Sequence, residues 1–211
     1  MKDNIILSGP NGKAPDTLPT MVIREDSTGA RQFSVESAAF ENGELSITGP
    51  INALMAQRVS TLLRMRAAQK KPVVLYINSP GGEVQAGLAI VDMIRNYPYE
   101  LHAFCTGLAA SMAAVILASA PRGHRHILPH SKTMIHEPLI AGDVGGSASS
   151  IERTAASILE TKSIINALLA EYTGRTREEI DRATAFDNFL NAEKSVEFGL
   201  CDNVATGYEM I

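Results

Sequence analysis

Apolar and polar residues alternate over Glu44-Leu45-Ser46-Ile47-Thr48, and the alternation stops at Gly49-Pro50. A two-residue period of that length predicts a short, half-buried strand. Asn52 then stands where it can cap a helix. Leu54, Met55, Val59, Leu62 and Leu63 recur at spacings that give this helix one apolar face, with Pro72 as its breaker. Val73-Val74-Leu75-Tyr76-Ile77 is continuously apolar, which predicts a strand covered on both faces. Asn78-Ser79-Pro80-Gly81-Gly82 makes a turn at its end, and a helix is expected from about Glu83 to Arg95. A second buried strand follows over 101–106, then a small-residue helix from Ser111 to Ser119, then a strand over 132–135. Strands alternating with helices predict an α/β fold with a mainly parallel sheet. Ligand sites in such sheets lie at the carboxyl ends of the strands.

From Ser147 the pattern changes. Ile151, Ala155, Ile158, Ile165, Leu169 and Tyr172 mark one seam of a helix of about 25 residues, ended by Gly174. Periodicity leaves two readings of that seam open, a core helix or an arm packed on another subunit. Thr176-Arg177-Glu178-Glu179 reads as a capping box opening a short helix. Residues 1–20, with three prolines among turn-forming residues, are expected to be mobile, and 21–211 to form a single domain.

Composition narrows the function classes. The 211 residues are 45% hydrophobic and 20% charged, with a net charge of −4 and no basic run, so nucleic-acid binding has no electrostatic support. The longest apolar run, Met112 to Ala118, is far too short to span a membrane. The first residues carry no long apolar core, which predicts no signal peptide and a cytoplasmic location. Cys105 and Cys201 form no CxxC motif and read as buried small hydrophobes. His124 and His126 form an HxH, but arginines interleave and no acid or cysteine is close in sequence. The segment therefore reads as an exposed basic turn leading into a strand, and no metal site is expected.

Gly107-Leu108-Ala109-Ala110-Ser111-Met112-Ala113-Ala114 sets one hydroxyl among residues with almost no side chain. At a strand-to-helix turn Ser111 is either a nucleophile facing the N–H groups of the helix start or a plain N-cap. A nucleophilic serine needs a base, and the base an orienting acid. His136, at the end of the 132–135 strand, projects toward the same crevice. The acids downstream are Asp143, Asp181, Asp187 and Asp202. Asp187 has aromatic neighbours in Phe186 and Phe189, but sequence physics does not rank the four.

Five blocks then resemble the signature blocks of the Clp protease proteolytic subunit family, in matching order and spacing. They are Ile77-Asn78-Ser79-Pro80-Gly81-Gly82, Gly107-Leu108-Ala109-Ala110-Ser111-Met112, Met134-Ile135-His136-Glu137-Pro138, Asp187-Asn188-Phe189-Leu190-Asn191-Ala192 and Glu197-Phe198-Gly199-Leu200-Cys201-Asp202. The resemblance runs from about Leu18 to Val204. It implies the fold shared by ClpP and crotonases, repeated β-α-β units with a protruding handle, here about 138–174. It implies Ser111 as nucleophile, His136 as base and Asp187 as orienting acid, with the N–H groups of Gly82 and Met112 as oxyanion hole. Substrate is then expected to lie as an added strand along Leu139, Ile140, Ala141 and Gly142, with Gly81 beside it. The implied activity is cleavage of unfolded polypeptides inside two stacked seven-membered rings of this chain, fed by a Clp-type ATPase and needing no cofactor.

Three departures qualify the match. Ser37 to Gly43 stand where the family commonly carries Arg-Leu-Leu-Lys. Ala185 and Phe186 replace an acidic-basic pair that helps link the rings. Asn96 and His126 stand where aromatics line the ATPase docking pocket, although Tyr76 and Leu62 are kept. Phage relatives share the core motifs without an ATPase. A non-catalytic ring subunit, or an acyl-CoA enzyme of the crotonase type, are the other readings; neither needs all of Ser111, His136 and Asp187.

Overall fold

Ser34 and Gly43 bound the first helix in a computed structural model of the chain, whose described residues are 21–26, 29–139 and 145–206. Strands β1 (Met21–Asp26) and β2 (Gly29–Ser34) pair antiparallel, and helix α1 (Val35–Asn42) follows. The Ser34 hydroxyl accepts the Ser37 N–H at 3.1 Å, and Gly43 closes the helix at φ 92°, a left-handed C-cap. These elements belong to a unit of residues 1–45; residues 46–211 form a second unit. Strand β3 (Glu44–Thr48) runs from one into the other, with Leu45 and Ile47 buried as the alternation predicts.

The second unit continues with α2 (Ala53–Ala68), β4 (Val73–Ser79), α3 (Val84–Arg95), β5 (Leu101–Ala110), α4 (Met112–Ser119), β6 (Arg125–Ile127) and β7 (Lys132–Ile135). After these come α5 (Ala148–Thr173), α6 (Arg177–Thr184), β8 (Asn188–Asn191), α7 (Ala192–Phe198) and β9 (Asn203–Val204). The sheet runs β3-β4-β5-β6-β9, and β7 leaves that path to pair with β5 and β8. Neighbours from β4 to β9 are parallel except β7–β8. The fold is thus mixed α/β with a mostly parallel sheet, as expected.

Strand β5 is longer than the 101–106 anticipated, because it changes partner midway. Ala103–Cys105 pair with Arg125–Ile127 of β6, and Leu108–Ala110 with Lys132–Met134 of β7. Each residue kept in the ladder retains its backbone bonds, so the strand continues until the chain must turn. Helix α4 is buried along its whole length, Met112 to Ser119. Each large apolar side chain there contributes about 1.5–3 kcal/mol relative to exposure.

Other expectations need correction. Strand β4 buries one face (Val73, Leu75, Ile77, Ser79) and leaves Val74 and Tyr76 half-buried on the other. Tyr76 packs there against Phe104, ring centroids 5.7 Å apart, rather than beneath a covering helix. In α2 Leu54 is exposed, and the buried face is Ala56, Val59, Leu63 and Arg66. Arg66 is tolerated there because its guanidinium donates to the Pro72 carbonyl at 2.9 Å. The segment around His124 is the expected exposed turn leading into a strand only as far as Gly123. Arg125 is buried, pairs with Asp202, and donates to the carbonyls of Tyr172 and Gly199, each at 3.0 Å.

Helix α5 buries apolar residues of its last turns and leaves others exposed. Ile165, Leu169 and Tyr172 are buried in the core, whereas Ile151, Leu159 and Ile164 are exposed. Ser147 caps its start and Gly174, at φ 74°, its end. Cys105 and Cys201 are free and buried, and burial pushes both thiols upward, away from the reactive thiolate. Among the described residues no helix is long and apolar enough to cross a membrane. The segment expected to be mobile, 1–20, lies outside the described residues.

Candidate active site

Strand register assembles the site. β5 and β7 run parallel with Ala110 opposite Met134, so Ser111 and Ile135-His136 emerge at the same end. β7 and β8 are antiparallel with Ile135 opposite Asn188, which puts the next residue outward, His136, beside Asp187. The side chains meet accordingly. His136 Nδ1–H donates to Asp187 Oδ1 at 3.0 Å, leaving Nε2 to accept the Ser111 hydroxyl at 2.9 Å. A serine, imidazole and carboxylate linked in this way have the geometry by which a serine hydroxyl can pass its proton to Nε2.

Ser111 has no role as a helix cap: its side chain makes no cap bond to α4, although it occupies the N-cap position. Its backbone adopts φ 54° and ψ −124°, a region that disfavours any residue with a Cβ. The Met134 carbonyl accepts the Ser111 N–H at 2.8 Å and fixes the bend. Strain of this kind costs about 1–3 kcal/mol. We expect Ser111→Gly to be more stable than Ser111→Ala by about 1 kcal/mol in denaturant unfolding, despite the usual cost of glycine. Both variants lose the hydroxyl, so the comparison isolates the backbone. Equal stability would mean that the bend stores no strain.

Glycines line the approach for steric reasons. A Cβ on Gly81 would lie 2.6 Å from the Ala110 carbonyl and 2.7 Å from Ser111 Cβ; on Gly82 it would lie 2.1 Å from the Ile51 carbonyl. Gly82 and Ile51 form an isolated parallel bridge. The Ile51 N–H donates to the Gly81 carbonyl at 2.8 Å, and the Glu83 N–H to the Ile51 carbonyl at 2.9 Å. That pair of bonds does not use the Gly82 N–H. Met112 opens α4, so its N–H is one of the donors a helix start leaves without an intrahelical partner. Met112 follows Ser111 directly, and Gly82 follows Gly81, on which a Cβ would lie 2.7 Å from Ser111 Cβ. Gly82→Ala keeps the backbone N–H, but its Cβ would collide with the Ile51 carbonyl and shift the turn. The kcat is therefore expected to fall, by up to about 10²–10³ for a fully misplaced oxyanion donor, and the denaturation midpoint with it. Full activity in a well-folded alanine variant would show that this turn does not need glycine to place the N–H at position 82. Ile51 is a supporting residue that the sequence reading missed, since nothing in its local pattern marks an isolated bridge.

Two of the remaining acids have partners elsewhere. Asp202 holds Arg125; burial pushes its carboxyl up, but the Arg125 bonds and the Gly123 N–H outweigh that and hold it below the ordinary value. Asp181 accepts from Asn166 Nδ2 at 2.6 Å, which lowers its pKa. Asp143 lies outside the described residues. Asp187 is the acid that meets His136, with its side chain 62% exposed in the isolated chain.

A small cavity adjoins the Ser111–His136 contact, lined by apolar Val84, Met112, Val115, Ile135, Ile165 and Leu169. Leu139, expected to line the substrate path, is exposed, whereas Ile140, Ala141 and Gly142 lie outside the described residues.

A parallel α/β sheet with a serine, histidine and aspartate in hydrogen-bond contact at its strand ends defines a class of scaffold suited to acyl-transfer hydrolysis. Within that class, the family model described as Clp protease matches residues 27–207 of the 211. The chain belongs to the Clp protease family and is a ClpP-like peptidase.

Proposed function

We propose that the chain is a serine endopeptidase acting through a Ser111–His136–Asp187 triad. The observation that carries this reading is His136 held between Asp187 and Ser111, at 3.0 and 2.9 Å. Ser111 Oγ attacks the scissile carbonyl carbon and passes its proton to His136 Nε2. The carbonyl oxygen becomes an oxyanion and receives the N–H groups of Gly82 and Met112. The tetrahedral adduct collapses, the C–N bond breaks, and the imidazolium returns its proton to the leaving amine. Water then attacks the acyl-serine with His136 again as base, releasing the carboxylic acid and restoring Ser111. The apolar cavity suits an apolar side chain on the acyl side of the cut. Gly81 and the segment Leu139, Ile140, Ala141 and Gly142 would flank the bound peptide.

The same proposal includes self-assembly into two stacked heptameric rings, residues 21–211 acting as one protease domain, with about 138–174 as its handle. Exposed Ile151, Leu159 and Ile164 on α5 support it, since apolar side chains along an arm gain from being covered. A cytoplasmic location and a Clp-type ATPase that delivers unfolded chains complete the reading.

A fluorophosphonate probe tests the mechanism: labelling, located by peptide mass spectrometry, is expected on Ser111 alone. Label on another residue, or none on an assembled particle that cleaves peptides, would overturn it. Light scattering tests the arm. An assembly of many subunits is expected, and Leu159→Lys is expected to shift it toward smaller species; a stable wild-type monomer contradicts the ring reading.

A further inference from the structure

A second cluster of chemistry-bearing side chains lies at the other end of β5. The β5–β6 register pairs Phe104 with His126, and continuing it two residues back sets His102 beside His124. Glu100 precedes His102 by two residues and shares its side of the chain. The side chains converge: one ligand atom each from Glu100, His102 and His124 lie within 4.8 Å of one another. The His102 and His124 rings stack, centroids 4.1 Å apart and 9° from parallel.

With the Asn203 amide oxygen toward His126, the hydrogen bonds define one proton arrangement. Asn203 Oδ1 lies 2.6 Å from His126 Nδ1, and an amide oxygen only accepts, so His126 Nδ1 carries hydrogen. Neutral His126 then accepts at Nε2, and His102 Nδ1, 3.0 Å away, must donate to it. In the neutral ring this leaves His102 Nε2 with a lone pair, 3.1 Å from Glu100 Oε1. A lone pair facing a carboxylate oxygen at that distance is repulsive unless a cation stands between them. His124 repeats the logic: its Nδ1 lies 3.3 Å from the Leu101 carbonyl and donates to it, leaving Nε2 with its lone pair. Two imidazoles thus turn one basic nitrogen outward while the other is held by a backbone carbonyl or a relay of side chains. An acceptor on the second nitrogen is the support that metal-ligating histidines receive, although His124 must still leave its stack to reach a shared ion.

We propose that Glu100, His102 and His124 bind one divalent transition ion of the zinc class at the end of β5 remote from Ser111. Two imidazole nitrogens and one carboxylate oxygen suit Zn²⁺ and its neighbours rather than Mg²⁺ or Ca²⁺, which take oxygen donors. Three protein ligands leave a fourth tetrahedral position for water. An ion lies in the plane of each ring that binds it, so ligation tilts the half-buried His124 ring out of its stack on His102. Nine residues of extended chain separate His102 from Ser111, about 30 Å, so the ion takes no part in peptide cleavage. The inference is independent of the catalytic reading.

The test is a calorimetric titration of the full-length, chelator-treated protein with ZnCl₂, repeated with Co²⁺, whose visible spectrum reports tetrahedral coordination. His136→Ala serves as the background, because the triad imidazole also faces a carboxylate and could take up zinc. One ion per chain is expected, with affinity reduced at least about tenfold by His102→Ala, by His124→Ala and by Glu100→Gln. Glu100 is exposed, so its substitution does not endanger the fold and keeps the test decisive if the histidine variants unfold. His126→Phe, which removes the acceptor for His102 Nδ1–H, is expected to weaken binding without abolishing it. No saturable binding, or binding that all three ligand variants leave unchanged, overturns the proposal and leaves a proton as the cation between His102 and Glu100.

Discussion

Ser111→Ala is expected to abolish fluorophosphonate labelling and to cut peptide cleavage by about five to six orders of magnitude, the loss seen when a triad nucleophile is removed elsewhere. The substitution is well suited to the question. Alanine keeps the Cβ that packs near Gly81, and α4 loses no cap bond, because the Ser111 side chain makes none. The Met134 carbonyl still accepts the backbone N–H at 111. Circular dichroism and particle size should therefore match the unsubstituted protein, and the lost rate is the missing hydroxyl itself. Turnover that survives in this variant would remove Ser111 as nucleophile and favour catalysis by oriented water, for which the oxyanion donors alone would be needed.

Asp187→Asn is expected to lower kcat by about 10⁴ near neutral pH with little change in KM, by analogy with triad aspartates. The cause is tautomeric. Asp187 now accepts the His136 Nδ1–H and so leaves Nε2 basic toward Ser111. An asparagine amide can donate instead, placing the ring hydrogen on Nε2 and removing the acceptor that Ser111 needs. Asp181→Asn is the matched control. It weakens the carboxylate contact to Asn166 and costs about 1 kcal/mol of stability, with kcat within a few-fold of the original. If Asp181→Asn abolished turnover while Asp187→Asn kept it, the orienting acid would be misassigned. The exposure of the Asp187 side chain sharpens the comparison, since water competes for its oxygens in the isolated chain.

How far the chain could be read in advance depends on whether the relevant physics is local. The alternation over residues 44–48, the Asn52 cap and the Thr176–Glu179 capping box all appear in the structure, because each is decided within a few residues. The positions of Ser111 and His136 were legible for the same reason, since each ends a strand. The choice among four aspartates was not. Asp187 reaches His136 only through the antiparallel β7–β8 pairing, which joins residues 51 apart, and resemblance rather than periodicity singled it out. Arg125 was misjudged because its partner, Asp202, is 77 residues away. Glu100 and His102 were passed over as companions of His124 for a similar reason: sequence proximity was sought, whereas the parallel β5–β6 register supplied it in space. The Ile51–Gly82 bridge has no local signature at all.

The left-handed bend at Ser111 also shapes how such a chain can evolve. Selection for cleavage must hold a side chain at a backbone position that glycine would occupy more comfortably. Once a lineage no longer needs the chemistry, one codon change to glycine discards the hydroxyl and relieves the bend together. Decay of function then runs downhill in folding energy, and descendants that keep the shape without the activity should accumulate glycine at this position in preference to alanine.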